Sequence, residues 1–431
     1  MIQKVIFCQF CNKYYFNNFI RHLQFCENYL KYNVKQITYV SDVDVFLSMV
    51  ENKRVIIVGP SVTVQECNLG DFINSFDVIV RLNKSLPIPE EMYVHVGSRT
   101  DILYNSLNTT DFPGENNINP LFLKNKINYL RCPYPPITPF KYDIRSFDRK
   151  NKNLINFGHI DTSFYIKLEN SIKTRPYTGT CAIADLLHSK VKELYVMGID
   201  FYKHKHTSYY RTISSNKLKK LQNNNIHQRE PQIDLIRRFY LLDERLVVDT
   251  ILDEILLEKY DNLLDSITKV EFEKIFISGD GKYGIRKFNI NSRICIIGNI
   301  EYVPDDYKDI DTLIDLVPNR KITKSINVYK NTSNFEENRI VLFTQSYKNL
   351  EKFKKKNYVF INPIFINYLK KALAIISRKT LSFELFIMLI FSAFNNVFIA
   401  GIDLYPDWKE NIEERLLFKY LLKRKKISYI I

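Results

Sequence analysis

The sequence predicts an α/β protein: a doubly wound, Rossmann-like parallel sheet, duplicated along the chain and preceded by a small metal-held module. Three observations predict this. Short β-branched runs alternate with amphipathic helical stretches, two of these runs recur later in closely similar form, and the first 30 residues carry a cysteine and histidine spacing of their own.

The first module covers residues 1–30. Cys8, Cys11, His22 and Cys26 are spaced C-x2-C-x10-H-x3-C, with Phe10, Tyr15 and Phe19 between them to supply a miniature core. The first pair suits a tight knuckle, and His22 and Cys26 lie one helical turn apart on the same side. The bland alternative is three small buried cysteines and a chance histidine, but so short a segment has no other evident means of folding. The pattern resembles C2HC zinc fingers, which implies a structural Zn²⁺ and leaves open whether protein or nucleic acid is the partner.

Residues 31–50 read as a connector with helical character, and the first α/β unit spans 50–265. Val55-Ile-Ile-Val58 closed by Gly59-Pro60 is a strand-to-loop signal. Val78–Val80, Ile102–Tyr104 and Leu194–Met197 are further strands, with a helix over Cys181–Ser189 between them. The unit 274–431 repeats the grammar. Arg293-Ile-Cys-Ile-Ile-Gly298 matches Arg54-Val-Ile-Ile-Val-Gly59, and the Gly401-Ile-Asp403 that ends Val397–Asp403 matches the Gly198-Ile-Asp200 after Tyr195. Amphipathic helices follow, around Leu235–Leu242 and Leu416–Leu422. The repetition predicts an internal duplication with a degenerate second copy, the alternative being two unrelated Rossmann-like pieces that share buried-strand composition.

Composition bounds the function. With 431 residues, 45% hydrophobic and 14% aromatic along the whole length, the chain is globular and has more than one domain. A net charge of +15 favours an anionic partner, but the excess is diffuse; beyond Lys354–Lys356 and Lys423–Lys426 there is no basic run, so nucleic acid is possible and not favoured. The start lacks the basic head and apolar stretch of a secretory signal. Phe383–Tyr405, the most apolar segment, is broken by polar residues and reads as a buried helix followed by a strand. With no transmembrane segment and seven cysteines, a reducing, cytoplasmic setting is expected.

Loops at the carboxyl ends of strands in a doubly wound sheet form a ligand crevice. Here these are Gly59-Pro-Ser61, Arg81-Leu-Asn83, Val96–Asp101 and Gly198–Tyr202. Gly59-Pro-Ser61 lacks the G-x-G-x-x-G pattern of a dinucleotide site. Arg175-Pro-Tyr-Thr178-Gly179-Thr180 stands directly before an apolar helix, so Thr178 is a candidate N-cap and the helix end a place for a carboxylate or phosphate. His227-Gln-Arg-Glu230 opens another amphipathic helix. His204 and His206 lack the further ligands of a metal site.

The segments VIIVG, FDVIVRLNKSLP and VGSRTD resemble the large sialylmotif of glycosyltransferase family 29, and RPYTGT resembles the start of its small sialylmotif. GIDFY, SYY and the later histidine are similar to the bacterial sialyltransferases of family 42. Together they cover about residues 53–245 in order. The resemblance implies a GT-A-like variant of the fold and a sialyltransferase that moves sialic acid, or a related ulosonic sugar, from a CMP-sugar donor to a glycan acceptor with inversion and no catalytic metal. It implies that Asn83 and Asn105 contact the nucleotide and phosphate, that Gly59 and Ser61 approach the donor, and that Arg175, Thr178 and Gly179 belong to the donor site. Tyr202 and Tyr209 or Tyr210 would donate to the leaving phosphate, and His227 would be the general base. Family 29 proteins carry a cysteine near the position of Arg54 or Val55, which leaves Cys181 without that partner, and Pro60 replaces a usual asparagine. Two other readings stand beside this one: a catalytically inactive sugar-nucleotide or glycan-binding protein, and a zinc-finger nucleic-acid-binding protein.

Overall fold

The computed structural model describes residues 6–8, 13–15, 42–107, 119–138, 141–207, 209–210, 215–223, 226–268, 276–278, 294–298, 312–316, 339–343, 358–361, 383–394, 397–400 and 412–429. The chain divides into two units, Met1–Leu256 and Leu257–Ile431. The division falls within a helix.

At the N-terminus β1 (Ile6–Cys8) and β2 (Lys13–Tyr15) pair antiparallel, with Cys8 opposite Lys13. Cys11, His22, Cys26 and the side chain of Cys8, and with them the expected zinc finger, lie outside the described residues.

The first unit then runs α1 (Asp42–Val50), β3 (Arg54–Val58), α2 (Gly70–Asn74), β4 (Val78–Leu82), α3 (Tyr93–Val96), β5 (Ile102–Tyr104), α4 (Pro120–Leu123), β6 (Tyr129–Cys132) and α5 (Lys141–Asn151). It continues with β7 (Asn156–His159), α6 (Thr162–Ile172), α7 (Thr178–His188), β8 (Glu193–Met197), α8 (Ser215–Gln222), α9 (Arg229–Leu242), β9 (Leu246–Val248) and α10 (Thr250–Thr268). Its seven strands pair parallel in the order β7-β6-β5-β4-β3-β8-β9. Parallel strands are covered on both faces, which is why Val55, Ile56 and Ile57 of β3 form an unbroken apolar run with no exposure. Each such aliphatic side chain contributes about 1.5–3 kcal/mol by leaving water.

Two arginines interrupt this apolar sheet. Arg131 of β6 meets Asp185 of α7 through two bonds of 2.9 and 3.2 Å, and the Tyr104 hydroxyl donates to the same carboxylate at 2.8 Å. The Phe46 ring lies 4.0 Å from the guanidinium carbon. A buried charge is tolerable when paired and hydrogen-bonded in this way. Arg81 of β4 is the second, and it belongs to the site.

The order of strands positions the crevice. From β3 the chain moves outward through β4 to β7, then returns to lay β8 on the other side of β3. That reversal makes the carboxyl ends of β3 and β8 the topological switch point, where open α/β sheets bind ligands.

In the second unit the strands β10 (Phe276–Ser278), β11 (Ile294–Gly298), β12 (Thr312–Leu316), β13 (Arg339–Phe343), β14 (Tyr358–Ile361), β15 (Val397–Ala400) and β16 (Ile427–Tyr429) pair in the order β10-β14-β13-β12-β11-β15-β16. Only β10 is antiparallel to its neighbour. Helices α11 (Phe383–Phe394) and α12 (Ile412–Lys423) occupy the two stretches read as helical from the sequence. Tyr420 and Arg424 both donate to Asp261, and the Tyr420 ring stacks on Tyr260. No helix among the described residues is long and apolar enough to cross a membrane.

Candidate active site

At the switch point two glycines let the strand exits touch. A Cβ on Gly59 would lie 2.3 Å from the Gly198 carbonyl oxygen, and Gly198 has φ +68°, where only glycine is unstrained. The Gly59 N–H donates to Met197 O, the Ser61 N–H to Gly198 O and the Val62 N–H to Lys205 O. The Ser61 hydroxyl donates to Asp200 at 2.8 Å. Gly59 and Ser61 thus stand at the switch point, with their N–H groups and the Ser61 hydroxyl donating within the protein.

One strand further, Asn83 and Asn105 brace the ends of β4 and β5. Asn83 takes φ +44°, donates its N–H to Tyr104 O and accepts from the Ser106 N–H; Asn105 donates to Asn83 O and accepts from the Leu107 N–H. The Asn83 side-chain NH₂ has no protein partner among the described residues, so it is the group of this pair available to a ligand. Below them Arg81, with no exposure, donates to Val96 O and Gly97 O at the carboxyl end of α3 and to Thr100. Burial pushes its pKa down to about 10, opposed by Tyr209 and Asp101, so it stays charged at neutral pH. Tyr209 stands on that side of the site, its phenol pushed up by burial and held back by the Arg81 guanidinium.

The start of α7 differs by one residue from the expected cap. Tyr177 is the N-cap, with φ −67° and ψ 157°, and makes no side-chain capping bond, while Thr178 and Gly179 are already helical. The reason is tertiary: the Gln232 side chain, from α9, accepts the Tyr177 N–H at 2.7 Å, doing from another helix what a capping-box residue does locally. Gly179 packs close to Ile199, where a Cβ would stand 3.1 Å away. The amides at the beginning of α7 form a positive helix end suited to an anion.

After β8 the backbone takes two consecutive left-handed residues, Phe201 (φ 51°) and Tyr202 (φ 63°). Such strain persists only where surroundings impose it. Asp200, 4% exposed, does so: it accepts from the Tyr202 N–H, the His204 N–H, the His204 ring and the Ser61 hydroxyl. From here a run of rings crosses the site. His227 stacks on Tyr177, Tyr177 meets Tyr202 edge-on at 5.4 Å, Tyr202 lies 5.3 Å from His206, and His206 meets Tyr210 at 4.9 Å.

His227 is fixed from two sides. Its Nδ1 lies 2.9 Å from Arg175 O, and a carbonyl can only accept, so Nδ1 carries the proton of the neutral ring and Nε2 the lone pair. Its own carbonyl accepts the Tyr177 hydroxyl at 2.9 Å. Thr174 and Arg175 hold the preceding residue, Ile226, through bonds of 2.7 and 3.1 Å.

The structure therefore gathers Arg175, Thr178, Gly179, Tyr202, Tyr210 and His227 around one crevice, with Asn83 and Asn105 on the neighbouring strand ends and Tyr209 toward Arg81. Tyr177, Asp200, Gln232 and Arg81 are parts of the site that sequence reasoning did not assign. Tyr177 sat inside the quoted RPYTGT motif, whereas Gln232 carries no local signal. Cys181 is buried with a free thiol whose pKa burial pushes well up. Among the described residues no group of three or more His, Cys, Asp or Glu side chains could hold a metal.

Residues 4–133 match the family model of glycosyltransferase family 29 (sialyltransferase), a stretch that includes β1 to β6 and stops short of α7. No curated protein sequence matches the chain. Among solved structures, a mammalian sialyltransferase is similar at 14% identity over 51% of this chain and 82% of its own, with a TM-score of 0.33. The sialyltransferase CstII of Campylobacter jejuni, in complex with cytidine-5'-monophosphate, is similar at 18% identity over 46% of this chain and 80% of its own, with a TM-score of 0.33. The monofunctional alpha-2,3-sialyltransferase Cst-I of the same organism gives 17% identity over 46% and 76%, with a TM-score of 0.32.

Proposed function

We propose that the first unit is a sialyltransferase-type glycosyltransferase, moving sialic acid or a related ulosonic sugar from a CMP-sugar to a hydroxyl of a glycan acceptor with inversion. The observation that carries this reading is the bond from His227 Nδ1 to Arg175 O, which leaves Nε2 as the basic nitrogen of a histidine at the switch-point crevice. The match of residues 4–133 to a sialyltransferase family supports it.

In this mechanism His227 Nε2 removes the proton of the acceptor hydroxyl as its oxygen attacks the anomeric carbon from the face opposite the phosphate. The bond between that carbon and the CMP phosphate oxygen breaks, and CMP leaves with its electron pair. The Tyr202 phenol, with Tyr209 or Tyr210, donates to the departing phosphate, and the Asn83 NH₂ holds the nucleotide side. The amides of Thr178 and Gly179 at the start of α7 receive the sugar carboxylate beside Arg175. A phosphate already spreads its charge, so fixed hydroxyl and amide donors stabilise it where charge develops. An imidazole whose Nε2 bears the lone pair can take up the proton of a hydroxyl placed against it.

The second unit reads as a second copy of the same fold: six of its strands, β14-β13-β12-β11-β15-β16, follow the order of β6-β5-β4-β3-β8-β9. No counterpart of His227 follows its Gly401-Ile-Asp403 in the sequence, so this copy is taken as catalytically silent.

Incubation with CMP-sialic acid and a panel of galactose-terminated acceptors, following CMP release, tests the reading. Acceptor-dependent release is expected, and His227→Ala should lower kcat by about 10²–10⁴-fold with donor KM nearly unchanged. No release with any CMP-ulosonic donor, or full activity in His227→Ala, would overturn it.

A further inference from the structure

We infer that Gln232 is a positioning residue that fixes the tautomer of His227 and joins it to the anion-binding end of α7, an inference that rests on reading His227 as the base.

Gln232 has no exposure, and its side-chain amide uses both ends. The oxygen accepts from the Tyr177 N–H at 2.7 Å and the Thr180 hydroxyl at 2.8 Å, both in the first turn of α7. The NH₂ group donates to Gln228 O at 3.1 Å and to Arg175 O at 3.4 Å. Arg175 O is the same carbonyl that accepts from His227 Nδ1. One buried amide thus touches the helix end proposed to receive the sugar carboxylate and the carbonyl that dictates which nitrogen of the base bears the proton.

The chemistry requires an amide here. The two contacts on the α7 side are donors and need an acceptor; the two on the His227 side are carbonyls and need a donor. An amide supplies two N–H donors and an oxygen with two lone pairs on separate atoms, which a hydroxyl with its single proton does not, and Gln has the reach from α9. Removing the amide leaves the Tyr177 N–H and the Thr180 hydroxyl without their acceptor and takes one of two donors from Arg175 O, so the Arg175–Tyr177 segment shifts and the carbonyl that faces the His227 ring moves with it. A neutral imidazole that carries its proton on Nε2 cannot take one there, so the active fraction falls.

The test reads the tautomer directly. In full-length protein with ring-¹⁵N histidine, without donor or acceptor and at mildly alkaline pH, two-bond ¹H–¹⁵N correlation is expected to show neutral His227 protonated on Nδ1. Gln232→Met should populate the Nε2–H form, lower kcat about tenfold or more and raise donor KM, since it loosens both sides. Gln232→Glu keeps an acceptor for Tyr177 and Thr180 but lacks the NH₂ donor; it should show the same tautomer change with a smaller rise in KM. Wild-type His227 in the Nε2–H form, or either folded variant with wild-type tautomer and kcat, overturns the inference. Wild-type protein that transfers no sugar refutes the proposed function instead, and the tautomer measurement still decides the role of Gln232.

Discussion

The ring of His227 lies 14° from parallel on the ring of Tyr177, with centroids 5.2 Å apart, and the Tyr177 hydroxyl donates back to the His227 carbonyl at 2.9 Å. The two residues therefore hold each other by a stack and a hydrogen bond, although they are 50 positions apart in sequence. Tyr177→Phe keeps the stack and removes the bond, worth about 1 kcal/mol, so kcat should fall roughly fivefold. Tyr177→Ala removes both and should cost about a further 0.5–1.5 kcal/mol in transition-state stabilisation. Steady-state kinetics of the two variants checks this; equal kcat for both would mean that the ring contributes nothing.

Asp200 holds the left-handed Phe201 and Tyr202 in place and bridges Ser61 to His204. Asp200→Ala leaves several buried donors unpaired and should lower folding stability by about 2–4 kcal/mol. Tyr202→Phe, which leaves the backbone bonds of residue 202 in place, should lower stability by less than Asp200→Ala does while slowing CMP departure. Thermal unfolding separates the two, and similar melting shifts for both would show that Asp200 is not a structural anchor.

What the sequence disclosed, and what it withheld, follows from how far each interaction reaches along the chain. Strands β3, β4, β5 and β8 were legible because buried parallel strands read as apolar runs ended by Gly, Asn or Asp, and a glycine after β3 and another after β8 marked the crevice. The function of those glycines was not legible. Gly59 lacks a side chain because Gly198 lies against it, a contact across 139 positions that no local pattern encodes. Thr178 looked like the cap of α7 because threonine is a common local cap, yet the capping contact comes from Gln232 on another helix. Arg81 within an apolar strand was read as part of a loop motif; its burial is understandable only once the carboxyl end of α3 is placed beside it.

Acid should unfold the first unit partly through Asp243. Its carboxyl is held below its ordinary range first by hydrogen bonds from Arg245, with burial opposing. Arg245 reaches on to Leu187 O at the end of α7, so the pair ties α9 and β9 to that helix. A carboxyl whose folded pKa is depressed stabilises the fold above its unfolded value of 3.8, and the stabilisation is lost as pH falls through the folded value. Asp243→Asn should therefore be less stable than wild type at neutral pH, by no more than about 1 kcal/mol for so exposed a pair. The gap should close on acidification. A gap that widens toward low pH would contradict the assignment.

Transfer should be indifferent to a chelator, even though the N-terminal Cys8, Cys11, His22 and Cys26 are proposed to hold zinc. The argument is the donor chemistry of the crevice. The groups proposed for it are phenols, a carboxamide, helix amides and a guanidinium, all of which donate to an anion and none of which ligates Mg²⁺ well. The carboxylates beside Gly198 and Tyr202 are engaged: Asp200 accepts from Ser61, Tyr202 and His204, and Asp249 accepts from the Gly198 and Leu252 N–H groups while burial, its largest influence, raises its pKa. EDTA should leave CMP release at its starting rate as long as the first unit stays folded, and added Mg²⁺ or Mn²⁺ should not raise it. Metal analysis should find about one zinc per chain, absent in Cys8→Ser, with transfer retained in that variant. Activity abolished by EDTA and restored by Mg²⁺ rather than Zn²⁺ would mean that a carboxylate-held cation takes part in the reaction, and Asp200 and Asp249 would be the first residues to re-examine.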